Sequence, residues 1–223
     1  VQTCALPILT LLVRHLGMAY VKQWYWLPEE GLMELEKTEG TPWTMWRDQG
    51  WLRTTPGAAI DIDVVSEQVA GILKSHRVTA FAYDRWHILP LLKKLKVFGC
   101  EFDHVSTNEE LETSLKTSRY PAAVDWGQGY RDMSPALAAL ETDLFNRTIR
   151  HGDNPITAMC AANVVIVSDD ANNRKPTKSG SKNRIDGIVS LTMAEGLLQR
   201  VRAVKPEQTG SYLSRTGELV LLD

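Results

Sequence analysis

The feature that most constrains the fold is a short apolar run, Val78–Tyr83 (VTAFAY), with Arg77 before it and Asp84 after it. Six β-favouring residues bounded by charge at both ends are too few for a buried helix and do not alternate with polar residues, so they read as a strand covered on both faces. Such a strand needs helices above and below it. The residues before it supply one: Asp63 is positioned to cap a helix whose Val65, Val69, Ile72 and Leu73 form one stripe, ending near His76. Ile88–Leu95 supplies another, with Pro90 tolerated in the first turn.

Further elements interleave around this unit. Leu9–Val13 and the aromatic Tyr20–Leu27, with Gly17 between them, read as an antiparallel hairpin. Glu29–Glu39 carries five Glu and one Lys, the pattern of a short solvated helix or loop. Thr54–Gly57 reads as a turn, and Asp103–Arg119 as an irregular or partly helical insertion. Ser134 and Pro135 read as the N-cap and first turn of a helix with Leu137, Leu140 and Leu144 as its stripe. Val164–Val167 reads as a second buried-type strand. Asn172–Arg184 reads as a mobile basic loop that leads into a helix with Ile185, Ile188, Val189, Thr192, Met193 and Leu197 on its core side. Glu218–Leu222 is a final strand. No internal repeat is present, and interleaved strands and helices after an initial antiparallel pair predict an α/β fold with a mixed sheet.

Composition narrows the function classes. The 223 residues are 43% apolar with 15 Gly and 10 Pro, enough for one compact domain that needs no disulfide framework. Three scattered cysteines, Cys4, Cys100 and Cys160, suit free thiols in a reducing compartment. The net charge of −2 carries no overall nucleic-acid signature, so any polyanion contact has to be local. No apolar run approaches the roughly 20 residues of a membrane span, and no secretory signal opens the chain, which together predict a cytosolic setting. Residues 1–8 (VQTCALPI) look like a translated sequencing adapter, so the domain is expected to occupy 9–223 and to lack something upstream.

Two carboxylates stand where chemistry is expected. Asp84 lies just past the carboxyl end of a buried strand, where α/β sheets present their ligands. Asp186 lies in the first turn of a helix, where orphan amides and the dipole are expected to hold its pKa low, and Gly187 beside it leaves room for close approach to a sheet. Brought together, the two would offer the hard oxygen donors that Mg²⁺ or Mn²⁺ prefers, and two such ions about 4 Å apart can drive phosphodiester hydrolysis. The structural alternative is that Asp84 pairs with Arg85 and Asp186 only caps its helix. The segment before Asp186 holds five cations and no anion: Arg174, Lys175, Lys178, Lys182 and Arg184. It would meet a phosphate backbone, or it is simply a solvated loop. Trp24, Trp26, Trp43, Trp46 and Trp51 are better read as core than as base-stacking platforms. Cys100 and His104 lack a second pair for zinc, His151 reads as a loop histidine, and no phosphate-cradling GxxxxGK[ST] or GxGxxG motif occurs.

AYDRW (82–86), GQGYRDMSPALAALE (127–141), the stretch from HGDNP to NVVIV (151–167) and RIDGIVSLTMA (184–194) together resemble the C-terminal nuclease domain of the large terminase subunits of tailed bacteriophages. The resemblance runs from about Leu9 onward, and YLSRTGELVLL (212–222) is similar to the natural end of such a subunit. It implies an RNase H-like mixed sheet flanked by helices, three acidic residues holding two Mg²⁺ or Mn²⁺ ions, and cleavage of concatemeric viral DNA. The family's second acidic position falls on Asp84 and its third on Asp186. Its first, in an opening strand that would precede Leu9, has no counterpart here, and neither does the ATPase motor further upstream. The stretch 103–119 is longer than the family's usual link. The implied partners are double-stranded DNA, the portal protein and the small terminase subunit, with several copies at the portal vertex of the procapsid in the host cytoplasm and no membrane. Without the first strand, its neighbours are expected to lose hydrogen-bond partners at roughly 1–3 kcal/mol per buried group, and metal affinity and cleavage to fall below those of an intact domain. Another RNase H-like nuclease, such as a resolvase or transposase, and a non-catalytic DNA-binding or portal-docking module are the rival readings.

Overall fold

The computed structural model describes residues 6–84, 88–178, 180, 184–204 and 218–222. The chain opens with strands β1 (Ile8–His15) and β2 (Met18–Pro28), helices α1 (Leu32–Glu39) and α2 (Trp43–Asp48), and strand β3 (Leu52–Thr55). Helix α3 (Ile62–Ser75), β4 (Val78–Asp84), α4 (Leu89–Val97), β5 (Asp103–Val105), α5 (Asn108–Thr117), β6 (Ala122–Trp126) and α6 (Tyr130–Phe145) follow. The last elements are β7 (Ile149–Arg150), α7 (Pro155–Asn163), β8 (Val164–Ser168), β9 (Arg174–Lys178), α8 (Asp186–Val204) and β10 (Glu218–Leu222).

The main sheet has the order β3-β2-β1-β10-β4-β6-β5, with β7 beside β2. β1 is antiparallel to β2 and β10, whereas β4 is parallel to β10 and β6, so the sheet is mixed as expected. The two-residue turn between β1 and β2 places Leu16 (φ 49°) and Gly17 (φ 78°) both in the left-handed region, the geometry that matches the strands' own twist. The expected gap at the sheet centre is absent among the described residues. β10 lies between β1 and β4 and pairs with both, so their backbones are not left without partners.

Strand alternation divides the core into two layers. Ala80 and Ala82 of β4, Ala122, Val124 and Trp126 of β6, and Leu12 of β1 face α5, α6 and α8. Phe81, Tyr83, Ala123, Leu9 and Leu11 face α3 and α4. A third cluster joins Tyr25, Leu27 and Leu52 to α1, α2 and α7. Trp26 and Trp43 are fully buried and Trp24 and Trp46 nearly so, as the core reading predicts, while Trp51 is exposed. Leu6 and Ile8 are buried as well and β1 begins at Ile8, so residues read from the sequence as adapter-like are packed into this chain; Val1–Ala5 lie outside the described residues.

Several local readings are corrected. The α3 cap is Asp61, whose carboxylate accepts from the Asp63 and Val64 amides, and Asp63 sits in the first turn facing Lys94. α6 starts five residues before Pro135, leaving that proline inside the helix, and Leu144 is half exposed because Met133, Ala136, Leu137 and Leu140 form the true inner face. The stretch 103–119 is partly helical as expected, with β5 at its start and α5 carrying a reciprocal capping box between Thr107 and Glu110. Val164–Val167 is not a core strand. Among the described residues it pairs only with β9, and Val165 and Ile166 remain exposed. The basic segment is accordingly half strand, with Arg174–Lys178 forming the second arm of a hairpin.

α8 approaches the sheet closely because Gly196 has no side chain. A Cβ there would lie 2.6 Å from the Ala136 Cβ and 2.6 Å from Cζ2 of the fully buried Trp126. Gly71, on the exposed side of α3, meets nothing within 4 Å. Gly196→Ala is therefore expected to destabilise the chain by about 1–3 kcal/mol through overpacking, and Gly71→Ala to stabilise it by up to about 1 kcal/mol through helix propensity. Urea denaturation checks both; equal effects would contradict the packing argument.

Candidate active site

Register brings Asp84 and Asp186 to one edge of the sheet. Leu222 of β10 is level with Ala82 of β4 and with Thr10 of β1, so the carboxyl end of β4 and the start of β1 share an edge. Asp84 has the same parity as Ala80 and Ala82 and lies on the face covered by α8. α8 runs along β1 in the same direction: Ser190 Oγ lies 2.7 Å from Thr10 Oγ1, and Glu195 meets Arg14 at 3.2 Å. Its first turn therefore lies at the edge where β1 begins, and the Leu6 amide donates to the Asp186 carboxylate.

The two acids are held differently. Asp84 is half-buried and accepts a 2.6 Å hydrogen bond from the Gln128 side-chain amide. Arg85, its suggested partner, lies outside the described residues. Asp186 opens α8, and its Oδ2 is buried with no hydrogen-bond partner. The expectation of a lowered pKa is overturned: burial pushes the Asp186 carboxyl up, and the Leu6 amide, the Lys178 charge, its own amide and the Arg184 charge offset this only in part. The helix terminus loses to desolvation at this site.

The backbone around Asp186 is fixed on several sides. The Gln23 amide donates to the Gly187 carbonyl at 2.8 Å and to Thr10 Oγ1 at 2.9 Å. The Tyr25 hydroxyl lies 3.0 Å from Gln23 Oε1 and 2.9 Å from Thr157 Oγ1. A Cβ on Gly187 would meet that hydroxyl and the Cys160 side chain, which gives the expected close approach a specific partner on β2. Cys160 is buried and its thiol is pushed up to about 12 by desolvation, so it is an inert packing group. Gln23, Tyr25 and Thr157 were not singled out by the sequence reading. Their one signal is Gln23, a polar residue at an inward position between Val21 and Tyr25.

The basic residues divide. Arg184 is 8% exposed, pairs with Glu39 at 2.8 Å and lies 5.5 Å from the Trp43 ring centroid. Glu39 is thus a half-buried ion-pair partner and not part of a wet acidic face. Arg174 makes a two-point ion pair with Glu141, and Lys175 lies over the Tyr130 ring. Lys178 is exposed and close enough for its charge to act on Asp186. Lys182 lies outside the described residues. His104 faces Tyr83 and Phe102, and His151 is exposed.

Among the described residues no group of three His, Cys, Asp or Glu side chains could hold a metal ion. The donors present nevertheless fit a hard divalent cation: a buried carboxyl oxygen without a partner, and a second carboxyl group at the same edge and face. A raised folded-state pKa means that stability belongs to the neutral form and is lost as the pH rises through that pKa. In chelator-treated protein, Asp186→Asn is expected to raise the melting temperature by a few degrees near neutral pH, with the gain shrinking as the pH falls into the ordinary carboxylate range. A lower melting temperature at neutral pH would contradict the desolvation argument.

Comparison with known proteins bears on this geometry. The family described as "Terminase large subunit, endonuclease domain" matches residues 8–201. The chain is 37% identical over 180 residues to the large terminase subunit of Enterobacteria phage HK97, covering 81% of this chain and 32% of that protein. It is 27% identical over 178 residues to protein YmfN of Escherichia coli K12, covering 77% of this chain and 34% of that protein. The crystal structure of the HK97 large terminase matches with a TM-score of 0.69 and 36% identity, covering 85% of this chain and 36% of that one. The chain thus spans about a third of the length of the curated relatives it matches. The mixed sheet flanked by helices is the RNase H-like fold of a terminase nuclease domain. With the family match spanning most of the chain and a homologue above a third identical, this chain belongs to the terminase large subunit endonuclease-domain family.

Proposed function

We propose that the chain is a divalent-metal-dependent DNA endonuclease that cuts concatemeric viral DNA during genome packaging. The observation that carries this reading is the unpartnered, buried Asp186 oxygen at the edge and face of the sheet that also present Asp84. Asp84 and Asp186 would hold Mg²⁺ or Mn²⁺. When bound, such a cation supplies Lewis acidity toward a phosphoryl oxygen and a water of lowered pKa. The chain's own side chains position rather than shuttle protons. Gln128 orients Asp84, and Lys178 sets positive charge beside Asp186 where a scissile backbone must lie.

Of the described basic residues proposed to contact DNA, Lys175 and Lys178 are the readier phosphate contacts. Recruiting Arg174 or Arg184 would first break its glutamate pair, and the Arg184 pair is largely desolvated. The portal protein and the small terminase subunit, with several copies of the chain acting at the portal vertex in the host cytoplasm, complete the proposed setting. No helix among the described residues is long and apolar enough to cross a membrane.

The test is nicking of supercoiled plasmid with Mn²⁺. The unmodified chain is expected to cut more slowly than a full-length terminase subunit, and Asp84→Ala and Asp186→Ala are each expected to lower the rate by about a hundredfold or more while keeping metal-free DNA binding. Cutting unaffected by both substitutions would leave a DNA-binding or portal-docking module as the better reading. Lys178→Ala is expected to weaken binding alike for all sequences and to lower the slope of log K against log salt by about 0.9, as removal of one phosphate contact requires. Titration of DNA binding at several salt concentrations measures that slope.

A further inference from the structure

The buried hydrogen bonds that converge on Gly187 tie three elements to the residue next to the proposed metal ligand. Gln23 projects from β2, on the face of the sheet that α8 covers, and both protons of its amide are used. One goes to the Gly187 carbonyl at 2.8 Å and the other to Thr10 Oγ1 at 2.9 Å. A carbonyl can only accept, so the Gly187 contact fixes which way the Gln23 amide faces. Its Oε1 is thereby turned toward the Tyr25 and Thr157 hydroxyls, which also contact each other at 2.9 Å. Thr157 belongs to α7, whose own start is set by the Asn154 side chain accepting from the Ile156 and Thr157 amides.

The same turn is gripped from other directions. Asn163, at the end of α7, donates to the Arg184 carbonyl at 3.3 Å, and Ser190, one turn further along α8, meets Thr10. Gly187 leaves no spare volume, since a Cβ there would run into the Tyr25 hydroxyl and lie 3.3 Å from both Cβ and Sγ of Cys160. These residues are buried, and every polar atom of the Gln23 side chain is paired. A core strand could be filled more simply with apolar groups, and the backbone carbonyl that this network holds belongs to the residue following Asp186.

We infer that Gln23, with Tyr25 and Thr157, is a positioning group for Asp186: a buried brace from β2 and α7 that fixes the Gly187 peptide and with it the direction of the preceding carboxylate. All three are buried, so they would act through Asp186 and not directly on DNA or a cation. The inference rests on the reading of Asp186 as a metal ligand, since a brace of this kind sets how well a carboxylate is aimed before a cation arrives.

Gln23→Met and Thr157→Val remove the brace with little change of volume, and Thr157→Ser keeps its hydroxyl. Two readouts are compared on the 223-residue chain: the Mn²⁺ concentration at half-maximal plasmid nicking, and the rise of melting temperature on Mn²⁺ titration. Both midpoints are expected to increase roughly tenfold or more in Gln23→Met and Thr157→Val, with metal-free DNA binding unchanged, and Thr157→Ser is expected to restore them. Midpoints equal to those of the unmodified chain, whatever the change in melting temperature without metal, would make the network merely structural and overturn this inference alone. A melting temperature that responds to Mn²⁺ equally in the unmodified chain and in Asp186→Ala would overturn the metal-ligand reading and this inference with it. Thr157→Val deletes a single hydroxyl and serves as the mild variant should Gln23→Met fold poorly.

Discussion

The fold depends on how closely α8 can lie against the sheet. Two of its residues, Gly187 and Gly196, have no Cβ where one would collide with Tyr25, Cys160, Ala136 or Trp126. Close contact there lets Leu191, Met193, Ala194, Leu197 and Leu198 fill the layer between α8 and the strands, each large side chain contributing about 1.5–3 kcal/mol by burial. It also decides where the first turn of the helix arrives. A helix held farther out would carry Asp186 away from the edge at which β4 ends.

Charge reinforces this placement away from the site. Arg14 of β1 bonds to Asp143 of α6 and to Glu195 of α8, and Glu195 is fully buried. Removing Arg14 would leave a buried carboxylate without its counter-charge, a loss of about 3–5 kcal/mol in comparable pairs. Arg184 with Glu39 anchors the approach to α8 in the same manner. The helix is thus clamped at its entry, at its first turn and near its middle, and the carboxylate it presents is backed by fixed groups. In the role proposed for Asp186, such rigidity would mean that aiming the carboxylate costs nothing when a cation arrives.

Much of this was legible in the order of the residues. VTAFAY announced a strand buried on both faces, the stripe Val65-Val69-Ile72 announced α3, and the four separated motifs pointed to the family. What escaped has a common cause. Val164–Val167 has the composition of a core strand, yet among the described residues its ladder partner is β9 alone, and composition does not say which strand lies alongside. Ser134-Pro135 has the chemistry of a helix start, yet α6 begins at Tyr130, because packing of Met133 against the sheet outweighs the local signal. Gln23 is one polar residue in an aromatic strand, and nothing local reveals that residues 157 and 187 complete its hydrogen bonds.

Residue order alone determined the periodicities, the turn at Leu16-Gly17 and the types of side chain available for chemistry, since each depends on neighbours within a few positions. Tertiary structure decided the protonation tendency of Asp186, the pairing of Arg174 and Arg184 with glutamates, and the seating of β10 between β1 and β4. The physical reason is one of range: desolvation and ion pairing are set by groups far away along the chain, and only the packed fold brings them within a few ångströms of each other.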